Sequence, residues 1–377
     1  MSDKIESLLN KMPLIKDVAE KLYNEWSKKN KRANILILGK TGVGKSTLIN
    51  AVFRDELAST GVGRPVTQGI EEITKEGMPI SILDSKGLEL ADYEEIKSTI
   101  INEIEDRRGE DPDKYVHLAW LCLSDDSKRI EDAEIEIAKS LKKLGVYVIV
   151  IITKATRFKD NEFKNEVEKY FKDIADDVCI TRGISEDIYG DDDDVIGKRD
   201  VKGINELISA SYRLIPDSQR QSFANVLSIK NKKSIELKRK ESGNIINIAR
   251  GAAGAAAVTP LPFSDAFMLI PIQVTMIIKI SQTYGISVTQ DAMLPAITAL
   301  VGSSATTLVG RTLVSSLLKF VPGVGSVLGG GISAIVASQL TSTMGNLYID
   351  VLHELLDEGK PLEFSAAMSS LKSKLSL

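Results

Sequence analysis

The chain has 377 residues, with 48 Lys and Arg against 52 Asp and Glu and a formal charge of −4. It is long enough for two domains with separate cores, and the charge balance removes any electrostatic case for nucleic acid as its main partner. Cys122 and Cys179 lie in apolar runs and read as reduced core residues, and two histidines, His117 and His353, exclude a histidine-built metal centre.

Residues 1–32 place apolar side chains at helical spacing from Ile5 to Trp26, with Pro13 dividing or kinking the helix. Glu and Lys mix on its polar face, so it is expected to pack on the body of the protein. The opening MSDKIESLL lacks the charged-then-apolar form of a secretion signal, which gives the cytoplasm as the expected compartment.

Strand-like and helix-like runs then alternate. Strands are predicted over 34–38, 70–74, 80–84, 116–123, 146–152 and 177–181, and helices over 45–53, 94–104, 130–144, 163–175 and 204–214. Such alternation predicts an α/β domain with a mostly parallel sheet and helices on both faces. The run Asp191–Asp194 reads as an exposed acidic loop, because adjacent aspartates repel one another.

After Pro216 a polar helix is predicted over about 218–240, its basic end a solvated face. An apolar, Ala/Gly-rich and all-helical region follows to about Ile349. Thr259–Asp265 reads as a turn in which Ser264 or Asp265 caps the next helix, and the run from Ala266 to Ser287 is apolar on nearly all sides. Phe320–Ile349 has no charge, yet Pro322 and its glycines divide it into two short helices. Mean hydropathy over the chain is −0.02. Two solutions stand for this region: a bundle buried in protein, or helices that touch or enter a membrane.

The chemistry is concentrated at residues 39–47, GKTGVGKST, directly after the apolar run Ile35–Leu38. Strand, glycine-rich turn and helix start make a P-loop. Gly39, Gly42 and Gly44 let the backbone approach a polyphosphate. Lys40, Thr41 and Val43 complete the turn, and Thr47 opens the helix whose positive end faces the phosphates. Lys45 is placed to reach the β- and γ-phosphates and Ser46 to give a hydroxyl to Mg²⁺. Downstream, ILDSKG ends a strand on Asp84, a carboxylate for Mg²⁺ through water, with Gly87 offering its N–H to the γ-phosphate. Thr67, in the intervening GVGRPVTQG, can complete the Mg²⁺ shell. Lys45, Thr67 and Gly87 are thus the candidate catalytic groups. Arg64 reads as a surface arginine ahead of an internal arginine finger.

In this order the motifs resemble those of the Era- and septin-like P-loop GTPases, over roughly residues 33–215. HLAWLCL followed by Arg129-Ile130-Glu131-Asp132 is similar to the septin-like branch, and Lys202–Leu207 to the start of the last helix in Era-like domains. The resemblance implies a G domain that binds GTP and GDP with Mg²⁺, hydrolyses GTP and switches conformation. Thr153 and Lys154 match the first residues of the family's base-reading motif, but Thr156 stands where the guanine-selecting aspartate belongs. Leu88 stands where many small GTPases carry a catalytic glutamine, so low intrinsic turnover is expected. Gly42 stands where potassium-activated relatives have asparagine.

The segment from Thr259 resembles the C-terminal helical domain, of uncharacterised function, found in some bacterial Era-like GTPases. Three parts follow: an N-terminal helix over 1–32, a G domain over 33–215 and a helical domain over 216–377. A slow GTP switch is the leading expectation. A dynamin-like GTPase acting at the inner face of the cell membrane and a non-hydrolysing nucleotide-binding scaffold are the alternatives, and a homo-oligomer paired through G domains is compatible with each.

Overall fold

The computed structural model describes residues 16–28, 30–54, 57, 62–67, 70–75, 78–85, 93–190, 192, 194–258, 269–288 and 334–375. They divide into two compact units, one spanning Asn30–Glu236 and one joining the N-terminal helix to the chain from Leu237 onward.

The first unit is built on β1 (Ala33–Leu38), β2 (Val62–Thr67), β3 (Ile70–Thr74), β4 (Ile80–Ser85), β5 (Leu118–Ser124), β6 (Tyr147–Thr153) and β7 (Asp177–Ile180). Their order in the sheet is β2-β3-β4-β1-β5-β6-β7. The pairs from β4 through β1, β5 and β6 to β7 are parallel, and β2 and β3 add antiparallel strands at one edge. The central strands are largely apolar because helices cover both faces, and every residue of β1, Asn34 included, is buried. Register sets Ile37 of β1 opposite Asp84 of β4, so both strands deliver their C-terminal ends to one rim.

After α1 (residues 16–27) the helices of this unit are α2 (Lys45–Val52), α3 (Tyr93–Glu110), α4 (Asp132–Lys143), α5 (Glu162–Tyr170), α6 (Ile204–Leu214) and α7 (Asp217–Val226). Gly203 caps α6 at φ 81°, and a Cβ there would lie 1.9 Å from the Ile180 carbonyl oxygen, so only glycine fits. Trp120 of β5 stacks on Phe53 at 5.7 Å and donates through Nε1 to Ser211 Oγ of α6 at 3.0 Å.

Several predicted elements differ. β2 falls where the sequence suggested a loop; it is an edge strand, where Pro65 and Gly63 are tolerated. The acidic run sits between β8 (Glu186–Tyr189) and β9 (Val195–Arg199), a separate two-stranded ribbon. The polar helix is two helices, α7 and α8 (Lys232–Val258). It breaks because the chain turns to pair with the end of α2: Arg54 N–H donates to Val226 O and Ser228 N–H to Val52 O, both at 2.9 Å. α5 stops at Tyr170, and Phe171 is instead buried in the core under the sheet.

In the second unit α1 and α8 pack with α9 (Leu269–Thr283), α10 (Ala334–Asp357) and α11 (Phe364–Leu375). α9 is buried along nearly its whole length, in protein. Two of its hydroxyls have internal partners, whereas Gln273 Oε1 is buried with none: Ser281 Oγ lies 2.6 Å from the Tyr348 hydroxyl, and Thr275 Oγ1 lies 2.8 Å from Pro271 O and 3.1 Å from Ala19 O of α1. Among the described residues no helix is long and apolar enough to cross a membrane. The glycine-divided run 320–349 lies outside the described residues up to 333.

Candidate functional site

β1 ends at Leu38 and the turn begins at Gly39, whose φ is 143°. A Cβ on Gly39 would sit 2.6 Å from the Cys122 carbonyl oxygen, so the turn is pressed onto β5. Gly44 is the left-handed N-cap of α2 at φ 103°. The first N–H groups of α2 lack intrahelical acceptors and form the anion-facing end of the loop. Val43 N–H donates back to Lys40 O at 3.3 Å.

Lys45, the first residue of α2, folds over the turn. Its Nζ donates to Gly39 O at 2.8 Å and lies 4.0 Å from Asp84 Oδ1. Burial pushes the Asp84 carboxyl up to about 6, against the pull of Lys45, with Glu71 adding to the rise. Asp84 Oδ1 is buried and has no hydrogen-bond partner. An orphaned carboxylate oxygen beside an ammonium, at the rim where the helix start waits for phosphate, fits a divalent cation held jointly with Ser46 and phosphate oxygens. Lys40, by contrast, points away from this centre and pairs with Glu131. Glu131 caps α4 in a reciprocal box with Glu134.

The far side of the site is built by β6. Thr153 Oγ1 lies 2.6 Å from Val43 O and 3.0 Å from Leu123 O, tying the end of β6 to the glycine-rich turn. Lys154 follows at φ 56° with its Nζ 3.6 Å from the Asp126 carboxylate. Thr156 offers its backbone N–H to Asp125 Oδ2 at 3.4 Å, and Asn161 Nδ2 donates to Asp125 Oδ1 at 3.1 Å.

The structure therefore brings together Gly39–Thr47, Asp84, Thr153 and Lys154 at the C-terminal rim of the parallel strands, where ligands of open α/β sheets sit. Thr67 is the last residue of β2, and its backbone pairs with Ile70. Gly87, Leu88 and Glu89 lie outside the described residues. Two groups escaped the sequence reading. Asp125, directly after β5, is buried and holds the loop after β6. Arg182, two residues past β7, is buried and donates through Nη1 to Ala155 O at 2.9 Å, clasping the same loop. The only sequence signal for either was a charged residue at the end of an apolar strand. Cys122 and Cys179 are both buried free thiols.

Comparison with known proteins follows the same division. Residues 34–154 match the family model described as 50S ribosome-binding GTPase, and residues 222–375 match a domain of unknown function, DUF697. The chain is 45% identical over 56 residues to Translocase of chloroplast 101 of Physcomitrium patens, covering 14% of this chain and 6% of that protein. It is 31% identical over 98 residues to Magnetosome membrane protein 22 of Magnetospirillum gryphiswaldense, covering 26% and 50%. It is 25% identical over 251 residues to the tRNA modification GTPase MnmE of Mycoplasma mycoides, covering 65% and 51%. The chain thus spans about half or less of the length of each of these relatives.

Proposed function

We propose, from the premise that this chain joins a P-loop GTPase domain to a C-terminal DUF697 domain, that it binds GTP and GDP with Mg²⁺, hydrolyses GTP slowly and changes conformation with the nucleotide. The observation that carries the reading is the placement of Lys45: its ammonium rests on Gly39 O, beside the unpartnered Asp84 carboxylate, at a helix start primed for anions. On binding, Lys45 exchanges the Gly39 carbonyl for the β- and γ-phosphates. Ser46, Thr67 and Asp84 would hold Mg²⁺, which when bound would neutralise charge on the phosphate oxygens. Backbone N–H groups from Gly42 to Thr47, with Gly87 at the γ-phosphate, stabilise charge as the terminal phosphoryl group departs. With Leu88 after Gly87, no glutamine orients the attacking water, and slow turnover follows.

Thr153 and Lys154 hold the base. Because Thr156 is no carboxylate and Asp125 is already engaged by Asn161, guanine selectivity is weak on this reading. Two names among the relatives, a chloroplast translocase and a magnetosome membrane protein, favour a second reading in which the switch acts at a membrane surface.

Single-turnover hydrolysis of GTP with Mg²⁺ tests the first reading, with Lys45→Ala as control. A slow burst of GDP that the variant lacks supports it. Bound nucleotide that never turns over would leave the scaffold alternative. Liposome flotation with GDP and with a non-hydrolysable GTP analogue tests the second, which fails if neither state floats.

A further inference from the structure

At the opposite end of β1 from the phosphate turn lies a cavity of about 640 Å³. It opens beneath the start of β1, between β3, α3 and the short 3-10 turn Pro112–Lys114. It shares no residue with the nucleotide site. Five carboxylates line it (Glu72, Glu103, Asp106, Asp111 and Asp113), against three cations, Arg32, Arg107 and Lys114.

Its inner wall is a fixed network. Arg107, buried on α3, donates through Nε to Glu103 Oε1 at 2.5 Å and through Nη2 to Glu72 Oε2 at 3.2 Å. Ser81 Oγ donates to the other oxygen of Glu72. One guanidinium therefore serves two carboxylates. Lys31 pairs with Asp113 at 2.7 Å. Asp106 forms no ion pair among the described residues, and the Asp111 carboxylate accepts the Asp113 N–H while its charge also acts on Lys31. The lining thus carries more carboxylates than cations.

The second observation is Asn34, the second residue of β1, which lines the cavity and is 2% exposed. Its Nδ2 donates to Asp113 O at 2.7 Å and Tyr115 O at 3.0 Å, which fixes the amide's orientation. Oδ1 is left buried with no hydrogen-bond partner. A buried acceptor of this kind costs roughly 1–3 kcal/mol unless a donor reaches it. A ligand that satisfies it must bring N–H or O–H groups, and the bare carboxylates farther out call for positive charge.

We propose that this cavity is a binding site for a small organic cation with two or more ammonium groups, a polyamine. One ammonium donates to Asn34 Oδ1 and the inner carboxylates; the next lies against Asp106 and Asp111. An anion is repelled by the same five carboxylates. A bare divalent metal is disfavoured because no group of three or more acidic, His or Cys side chains among the described residues is arranged to hold one. The helix that carries Glu103, Asp106 and Arg107 is the one that follows Gly87 in the chain, so the ligand would brace the helix downstream of the γ-phosphate loop.

The test is calorimetric titration of the full chain, free of nucleotide, with spermidine, and with N-acetyl-lysinamide and Mg²⁺ as comparators. One saturable site for spermidine is expected, at least tenfold weaker in Asp106→Asn/Asp111→Asn. Both positions are exposed, and unchanged circular dichroism confirms the variant's fold. Asn34→Ala, if it folds, should weaken binding similarly. No saturable binding, or binding that the double variant leaves intact, overturns the proposal. A tighter response to the single ammonium of N-acetyl-lysinamide also overturns it, in favour of a lysine side chain from a partner. Because no nucleotide is present, the outcome is independent of whether GTP is hydrolysed.

Discussion

Asn161 donates to Asp125 across the loop that follows β6, at 3.1 Å, and caps α5 by accepting the Lys164 N–H at 2.9 Å. The buried Asp125 carboxylate is thereby spent on holding the loop in shape. Position 156 has no acid of its own, so on the proposed reading a bound guanine's N–H edge would lack a charged acceptor there. Thr156→Asp should supply one. The preference for GTP over ATP is expected to rise roughly tenfold to a hundredfold, the worth of a charge-assisted hydrogen-bond pair at about 1.5–3 kcal/mol. Competition binding of fluorescent GTP against ATP checks it. An unchanged ratio would show that another group reads the base.

Asp84 makes a second expectation. Its unpartnered oxygen needs a cation, and Lys45 alone sits 4.0 Å away. Removing Mg²⁺ with chelator should weaken triphosphate binding at least tenfold, and Asp84→Asn should reduce that difference. Equilibrium titration with and without metal measures both.

Gly203 and Gly359 both have positive φ, 81° and 65°, but only Gly203 meets backbone, at 1.9 Å from Ile180 O, while nothing lies near Gly359. Gly203→Ala is expected to cost more than about 3 kcal/mol, since the α6 start must move off β7. Gly359→Ala should cost about 1 kcal/mol, the left-handed penalty alone. Urea unfolding of the two variants separates steric overlap from conformational strain.

Lys279 lies in the buried helix α9, with its Nζ 4.1 Å from the centre of the Tyr23 ring and hydrogen-bonded to Ser27 Oγ. Burial lowers its pKa to about 8. An unfolded lysine keeps its proton to about 10.4. Between those values the unfolded chain binds more protons than the folded one, so stability should rise with pH from about 8 to 10.4 and lie flat below that window. Lys279→Met should abolish the rise and add roughly 2–3 kcal/mol at pH 7, as measured by chemical unfolding of the helical unit at several pH values.

The parts of the site that the sequence revealed are those whose chemistry is local. Gly39, Gly44 and Lys45 share one turn, and Asp84 ends an unbroken apolar strand, so spacing alone identified them. Asp125 and Arg182 act on the loop after β6 from the ends of two other strands. Their roles depend on sheet order, which no local pattern encodes. β2 was hidden by Pro65 and Gly63, which an edge strand tolerates, and the β8–β9 ribbon by the run of aspartates between its strands in the sequence. The apolar run of α9 could not choose between lipid and protein as its surroundings. The choice rested on α1, α8 and α10, whose side chains surround it.

The packing of α1 against α9 has a consequence for how the molecule is made. Ala19 is fully buried, and its carbonyl lies 3.1 Å from the Thr275 hydroxyl, across 256 positions of sequence. The helix that leaves the ribosome early must wait for a mate that emerges more than two hundred residues later. In the interval the entire sheet can be synthesised and can fold. Until then the Tyr23 and Trp26 side of α1 has no lodging, which makes nascent chains a natural client for holding chaperones. A shortened chain that starts at residue 30 should leave α9 exposed and aggregate even though its sheet is intact.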